Sequence, residues 1–161
     1  MSGITGAEAY CIRPMEEEDV PAVTLLERAC FSDAWSERLL REMLRSSWDS
    51  AAVMTAEDGT LLGYINIRVL GTEAELMRIC VRPESRGQRL SVPLLRSGLR
   101  EMLCRGASEA TLEVRSGNIA AVRLYEAHGF VLEGVRKNYY SAPVEDALIY
   151  WNRTLREVFK D

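Results

Sequence analysis

The sequence predicts a single α/β domain, and three observations carry that prediction. The first is the run TLEVRSGNIAAVRLYEAHGF, residues 111–130, in which an alternating strand, a turn, a short helix and a second turn follow one another. The second is a series of apolar, β-favouring runs earlier in the chain, Ala51–Thr55, Leu61–Val69 and Ala74–Val81. The third is that helically spaced apolar residues bracket these strands: Val20, Val23, Leu25, Leu26, Ala29 and Cys30 before them, Leu94, Leu95, Leu99, Met102 and Leu103 after. At 161 residues the chain can bury roughly 70% of its unfolded surface, so one domain suffices.

Taken in order, residues 1–8 are small and polar and are expected to form a flexible tail, with the domain over 9–161. Ala9–Arg13 is a strand candidate ended by Pro14. Glu16–Asp19 places acids at the start of the first helix, and Ser36 is suited to N-cap a second helix carrying Leu39, Leu40, Met43 and Leu44 on one face. Trp35 between them reads either as a core anchor or as the wall of a groove. Glu57-Asp58-Gly59 joins the first two strand runs as a hairpin, and the third pairs beside them.

Arg82-Pro83 stops the third run before the loop Glu84–Leu90, and a helix begins near Ser91. Pro93 falls in its first turn, where a missing N–H is harmless, and the exposed amides of that turn would attract an anion such as a pyrophosphate. Phe130–Tyr140 reads as a strand and Asp146–Asn152 as its partner across the turn Ser141–Glu145. Under regular alternation Tyr139 and Tyr140 point to opposite sides, so without a bulge at most one faces any one cleft. Asp146 reads as a charge at the sheet edge.

Within residues 111–130, Leu112 and Val114 share one side of the strand and Glu113 lies on the other. Asn118 is a favoured N-cap for the helix Ile119–His128, and Gly129 suits its C-terminal turn. At about 100° per residue Asn118, Ala121 and Tyr125 fall on one stripe. A carboxylate and a phenol so placed can reach one cleft, the first to accept a proton and the second to donate one. Periodicity alone does not separate that role from an exposed strand carboxylate and a helix tyrosine packed in the core.

Asn118-x-x-Ala121-x-x-Leu124-Tyr125-x-x-x-Gly129-Phe130 resembles the signature of the GCN5-related N-acetyltransferase (GNAT) superfamily. With Leu112-Glu113-Val114-Arg115 before it and Arg136-x-Asn138-Tyr139-Tyr140 and Glu145-Asp146-Ala147 after it, the chain is similar to the branch of ribosomal-protein-alanine N-acetyltransferases (RimI type). The resemblance implies a mixed, mostly antiparallel sheet flanked by helices and split by a V-shaped opening for acetyl-CoA. It also implies Glu113 as base, Tyr125 as acid toward the coenzyme sulfur and Asn118 against the coenzyme. Ile79, Cys80 and Val81 would offer free backbone groups to the pantetheine arm, and Tyr139 would meet the acceptor peptide.

The pyrophosphate loop of that superfamily reads Q/R-x-x-G-x-G/A, and this chain offers Arg86-Gly87-Gln88-Arg89-Leu90-Ser91. Arg89 stands where a glycine is expected. If the position requires positive φ, its side chain obstructs the approach of phosphate to the backbone; if φ is negative, it adds a cation beside the anion. The expectation is that binding is retained, because a helix N-terminus does not depend on one glycine. Arg86 and Arg89 otherwise read as a solvated basic loop.

A net charge of -4 with both signs interspersed gives no case for a broad nucleic-acid footprint, and no direct nucleic-acid binding is expected. Cys11, Cys30, Cys80 and Cys104 form no metal-binding spacing with one another or with His128 and read as buried free thiols. No basic leader is present and no run approaches the roughly 18 apolar residues of a membrane span, so a soluble cytoplasmic protein without membrane contact is expected. The expected activity is acetyl transfer from acetyl-CoA, without a metal, to the α-amine of an N-terminal alanine, on the N-terminal peptide of a small-subunit ribosomal protein. The alternatives are a lysine or small-amine acetyltransferase of the same superfamily, and a catalytically weak acyl-CoA-binding regulatory module.

Overall fold

A computed structural model describes residues 9–160, so the expected tail over 1–8 lies outside the described residues. The strands are β1 (Tyr10–Pro14), β2 (Asp49–Ala56), β3 (Leu61–Leu70), β4 (Glu73–Val81), β5 (Glu109–Arg115), β6 (Val131–Ser141) and β7 (Val144–Asn152). The α-helices are α1 (Val20–Cys30), α2 (Glu37–Arg45), α3 (Ser91–Cys104) and α4 (Ile119–Ala127). Strand order in the sheet is β1-β2-β3-β4-β5-β7-β6. β4 and β5 pair in parallel over Glu73–Glu75 opposite Glu109–Thr111, a connection that needs a crossover, which α3 supplies. β1 pairs antiparallel with β2, and β7 antiparallel with both β5 and β6. Among the described residues no helix is long and apolar enough to cross a membrane.

The chain gathers into two compact units, one running up to Asn66 and including Arg78–Gly98, the other made of Ile67–Met77 and Leu99 onward. In the first unit Val20, Val23 and Leu26 of α1 and Leu40 and Met43 of α2 pack with Met15, Val53, Tyr64 and Cys80. Ser36 caps α2 as expected, its Oγ accepting from Leu39 N at 3.2 Å. Leu25 and Leu39 are exposed, not buried. Each adjoins a buried leucine, Leu26 or Leu40, and so stands about 100° away from the stripe that meets the core. Gly63 of β3 is required by space: a Cβ there would lie 2.6 Å from the Cys80 carbonyl oxygen and 3.2 Å from Leu94.

The same unit holds a buried charge that no pattern in the sequence announces. Glu27 is fully buried and accepts from the Tyr64 hydroxyl, from Arg78 Nη2 at 3.0 Å and from Trp35 N at 2.8 Å. The Arg78 guanidinium lies over Phe31 at 4.1 Å and Trp35 at 4.8 Å. The charge is thus paired and hydrogen-bonded, the condition under which a buried carboxylate is tolerated. Burial, and then the Glu27 charge, push the Tyr64 phenol far above its ordinary pKa. Trp35 is partly buried against the core cluster and serves as an anchor.

In the second unit β5 alternates as expected, with Ala110, Leu112 and Val114 buried and Glu113 half-buried between them. Helix α4 opens with Asn118 Oδ1 accepting from Ala121 N at 3.2 Å and closes before Gly129, whose φ is +84°. Leu103 of α3 is only half-buried, where full burial was expected. The expectation of buried thiols also fails in part: all four cysteines are free, but Cys11 and Cys104 are exposed, Cys30 is half-buried and Cys80 alone is buried. Cys11 lies on β1, at the edge of the sheet, and Cys104 ends α3, so apolar neighbours in sequence do not cover them.

Candidate active site

Glu113 of β5 keeps 26% of its side chain exposed and pairs with Arg136 Nε of β6 at 3.2 Å. The Arg136 guanidinium also stands 5.5 Å from the Tyr139 ring, and Tyr139 meets Tyr140 edge-on with centroids 5.1 Å apart. Tyr140 in turn lies under the guanidinium of Arg115 at 4.2 Å. Two candidates from the sequence, Glu113 and Tyr139, are therefore linked through Arg136, and Tyr140 joins them through its ring contact with Tyr139. Arg136 as the partner of Glu113 was not legible from spacing, because it depends on the register of β6 against β7.

That register breaks the expected alternation of the two tyrosines. Arg136 faces Ala147 and Tyr140 faces Glu145, so β6 advances four residues (136 to 140) while β7 covers two (147 to 145). The extra residues form a bulge centred on Asn138, whose φ is +53°, a left-handed conformation that asparagine tolerates better than most side chains. Asp146 holds it. Its Oδ1 accepts from Asn138 N at 2.9 Å and its Oδ2 from Lys137 Nζ at 3.2 Å. Asp146 is thus the clasp of the bulge and more than a sheet-edge charge, and the bulge turns Tyr139 and Tyr140 toward each other. Glu145 beside it accepts from Gly117 N at 2.5 Å and from Arg115 Nη1 at 3.3 Å, tying the β5–α4 turn to β7.

The Asn138 amide, and then Lys137, hold the Asp146 carboxyl below the ordinary carboxylate range. With the folded pKa depressed, this contribution to stability is present above the unfolded value of about 3.9 and is lost as pH falls through the lower folded value. We expect the Asn138 amide resonance to titrate with a midpoint below about 3.9, and Asp146→Asn to abolish that titration. The same variant is expected to raise KM for an acceptor peptide about tenfold by releasing Tyr139. An Asn138 resonance that titrates alike in both proteins rules out the clasp.

Tyr125 of α4 is only 6% exposed, its ring edge-on to Phe130 with centroids 6.1 Å apart. Desolvation, and then the field of Tyr140, push its phenol well above the ordinary value, so it stays protonated and keeps its O–H as a hydrogen-bond donor through the neutral range. Asn118 is exposed on the same helix, with its Oδ1 committed to the N-cap. A half-exposed carboxylate and a buried, protonated phenol are the two groups that amine acylation by a thioester requires, one to take the amine proton and one to supply the leaving thiolate.

In the first unit Ile79, Cys80 and Val81 end β4, followed by the loop Arg86–Ser91. Arg86 folds back, its Nε donating to Val81 O at 3.3 Å and its Nη2 to Cys30 Sγ at 3.5 Å. Gly87 has φ +85° and Arg89 φ +58°. The condition under which Arg89 obstructs is the one found: a side chain occupies a left-handed position that suits glycine. Val92 N donates to Arg89 O at 3.2 Å and Leu94 N to Leu90 O at 3.3 Å, and Pro93 carries no N–H, so of the first three residues of α3 it is Ser91 whose amide lies outside the helical ladder. An amide so placed suits a pyrophosphate.

Left-handed backbone costs an L-residue about 1–2 kcal/mol, and glycine returns roughly half of that as chain entropy. Arg89→Gly is therefore expected to raise Tm by about 2 °C. It is also expected to tighten acetyl-CoA about threefold or more as the backbone becomes approachable, with Arg89→Ala gaining neither. Calorimetric titration decides: weaker binding by Arg89→Gly would mean that the guanidinium itself contacts phosphate.

The family model described as the Acetyltransferase (GNAT) family matches residues 20–130. The chain belongs to that family. A GNAT relative from Bacillus subtilis (strain 168), named as a candidate [ribosomal protein bS18]-alanine N-acetyltransferase, is 36% identical over 141 residues, covering 87% of this chain and 93% of the relative. The [ribosomal protein bS18]-alanine N-acetyltransferase of Escherichia coli (strain K12) is 31% identical over 140 residues, covering 86% and 93%. The crystal structure of the ribosomal-protein-S18-alanine N-acetyltransferase from Escherichia coli superposes with a TM-score of 0.81 at 31% identity, over 89% of this chain and 92% of that one. The fold is that of the GNAT acetyltransferases, and the protein is an acetyl-CoA-dependent N-acetyltransferase.

Proposed function

We propose that this GNAT acetyltransferase moves acetyl from acetyl-CoA to the α-amine of an N-terminal alanine, on the N-terminal peptide of the small-subunit ribosomal protein bS18. The observation that carries the proposal is the linked set Glu113–Arg136–Tyr139–Tyr140, which joins a carboxylate to a pair of aromatic rings, with the buried phenol of Tyr125 on the helix that follows β5. The names of the relatives supply the acceptor.

In this reading Glu113, directly or through a water, takes a proton from an amine whose pKa of about 7.7–8.0 demands only a mild base. Tyr125 gives its proton to the departing thiolate, whose conjugate thiol has a pKa of roughly 8.5. Ile79, Cys80 and Val81 line the pantetheine arm, and residues 86–91 with the start of α3 take the pyrophosphate. Asn118 lies against the coenzyme and Tyr139 against the acceptor. Positive φ at Arg89 supports a second reading, in which the coenzyme is held weakly and turnover is slow.

The test is a short peptide beginning Ala-Arg with an internal lysine, incubated with acetyl-CoA and mapped by fragment mass spectrometry. Acetyl is expected on the α-amine. Acetyl on lysine alone would replace the proposal with a lysine-directed enzyme. Coenzyme binding without transfer would replace it with the regulatory module.

A further inference from the structure

Cys30 is the last residue of α1 and Cys80 lies near the end of β4, and Cys30 packs against the buried cluster to which Cys80 belongs. Around the Cys30 sulfur stand Cys80, the Arg86 Nη2 at 3.5 Å and the Val81 carbonyl oxygen at 3.6 Å. The other charged groups acting on the pair are Glu27, one turn earlier on α1, and Arg78, which neutralises Glu27. Cys30 is half-buried and so reachable by a small oxidant, while Cys80 is buried beneath it. The division of roles is set by the surroundings. Cys80, and then Arg86, draw the Cys30 thiol down to about 7, and Cys30 together with burial pushes Cys80 up. One sulfur is a nucleophile beside a cation; the other keeps its proton and waits alongside.

We propose that Cys30 and Cys80 are a redox pair in which a hydroperoxide oxidises Cys30 and Cys80 then closes a reversible disulfide between the end of α1 and β4. In the first step the Cys30 thiolate attacks the O–O bond of the hydroperoxide. Sulfenic acid forms on Cys30, and the displaced alkoxide or hydroxide leaves as alcohol or water after taking a proton. In the second step the Cys80 sulfur attacks the sulfenic sulfur, the S–S bond forms, the S–O bond breaks and the Cys80 proton departs with hydroxide as water. The two thiols lose two electrons and the peroxide gains them. Closing the bond takes the Cys30 sulfur from Arg86 and Val81 O, and alters the strand that the proposed function gives to the pantetheine arm; that consequence alone rests on the proposed function.

The intact enzyme is treated with hydrogen peroxide, its remaining thiols are blocked with N-ethylmaleimide, and the digest is mapped by mass spectrometry. A Cys30–Cys80 cross-linked peptide is expected, with a loss of two hydrogens, reversed by dithiothreitol, and with Cys11 and Cys104 still alkylated. Cys30→Ser should form no link and keep the basal transfer rate. Cys80→Ala should leave a sulfenic acid on Cys30 that dimedone traps. Before oxidation, Cys30 should react with iodoacetamide about threefold faster than an ordinary exposed thiol, since its larger thiolate fraction outweighs its lower intrinsic nucleophilicity. Links through Cys11 or Cys104, or Cys30 advancing to sulfinic acid beside an unmodified Cys80, would overturn the pair. Acetyl-CoA affinity should fall about tenfold on oxidation and recover on reduction; a linked protein binding as before would overturn the switch. The mass readout needs no coenzyme, so a reduced protein that fails to bind acetyl-CoA would count against the proposed function and leave the disulfide test standing.

Discussion

Glu113→Gln is expected to lower kcat on an alanine-initiated peptide about a hundredfold or more, with acetyl-CoA binding unchanged within about twofold. The amide keeps the shape of the carboxylate and can still accept from Arg136, so the β5–β6 contact survives and only proton acceptance is lost. The ion pair is partly exposed on both sides, so its loss should leave stability nearly unchanged. The variant should recover part of its rate as pH rises past about 8, where the α-amine loses its proton unaided. A lysine acceptor, with a pKa of about 10.4, would show no such recovery there. Steady-state rates across pH on a peptide with a free α-amine make the measurement, with the fold checked by circular dichroism. A wild-type rate in a folded variant would remove Glu113 from the chemistry.

Tyr125→Phe should slow the chemical step by about a hundredfold while leaving KM for the peptide nearly unchanged. Phenylalanine retains the edge-on packing against Phe130, so what is lost is the proton donor. Because burial and Tyr140 raise the phenol's pKa, wild-type kcat should show no alkaline fall from this group as pH approaches the ordinary tyrosine value of about 10. The sign for stability follows from the same shift. With the folded pKa raised, the contribution of Tyr125 is complete below the unfolded pKa and is lost as pH rises through the folded one. Single-turnover kinetics separate acyl transfer from product release, and an unchanged single-turnover rate would show that the thiolate leaves without this phenol.

Residues 111–130 were legible because each signal in them is local. The alternation of Leu112 and Val114 against Glu113, the cap at Asn118 and the left-handed Gly129 all arise from sterics and hydrogen bonds within a few residues, and the structure reproduces each. The hairpin of β2 and β3, the start of α3 and the cap of α2 belong to the same class. What the tertiary structure decided is which side chains meet across distant chain segments. Regular alternation at Tyr139 and Tyr140 gave way because Asp146, on the neighbouring strand, satisfies the amide of a left-handed Asn138. Arg136 reaches Glu113, Arg78 reaches Glu27 and Cys30 reaches Cys80 only once strand register and helix packing are set. By itself the sequence determined the elements, the family signature and the candidate acid and base, since these depend on short-range periodicity and residue type. The tertiary structure alone decided the partners that hold those groups, because a pairing energy between residues far apart in the chain exists only after folding has brought them together.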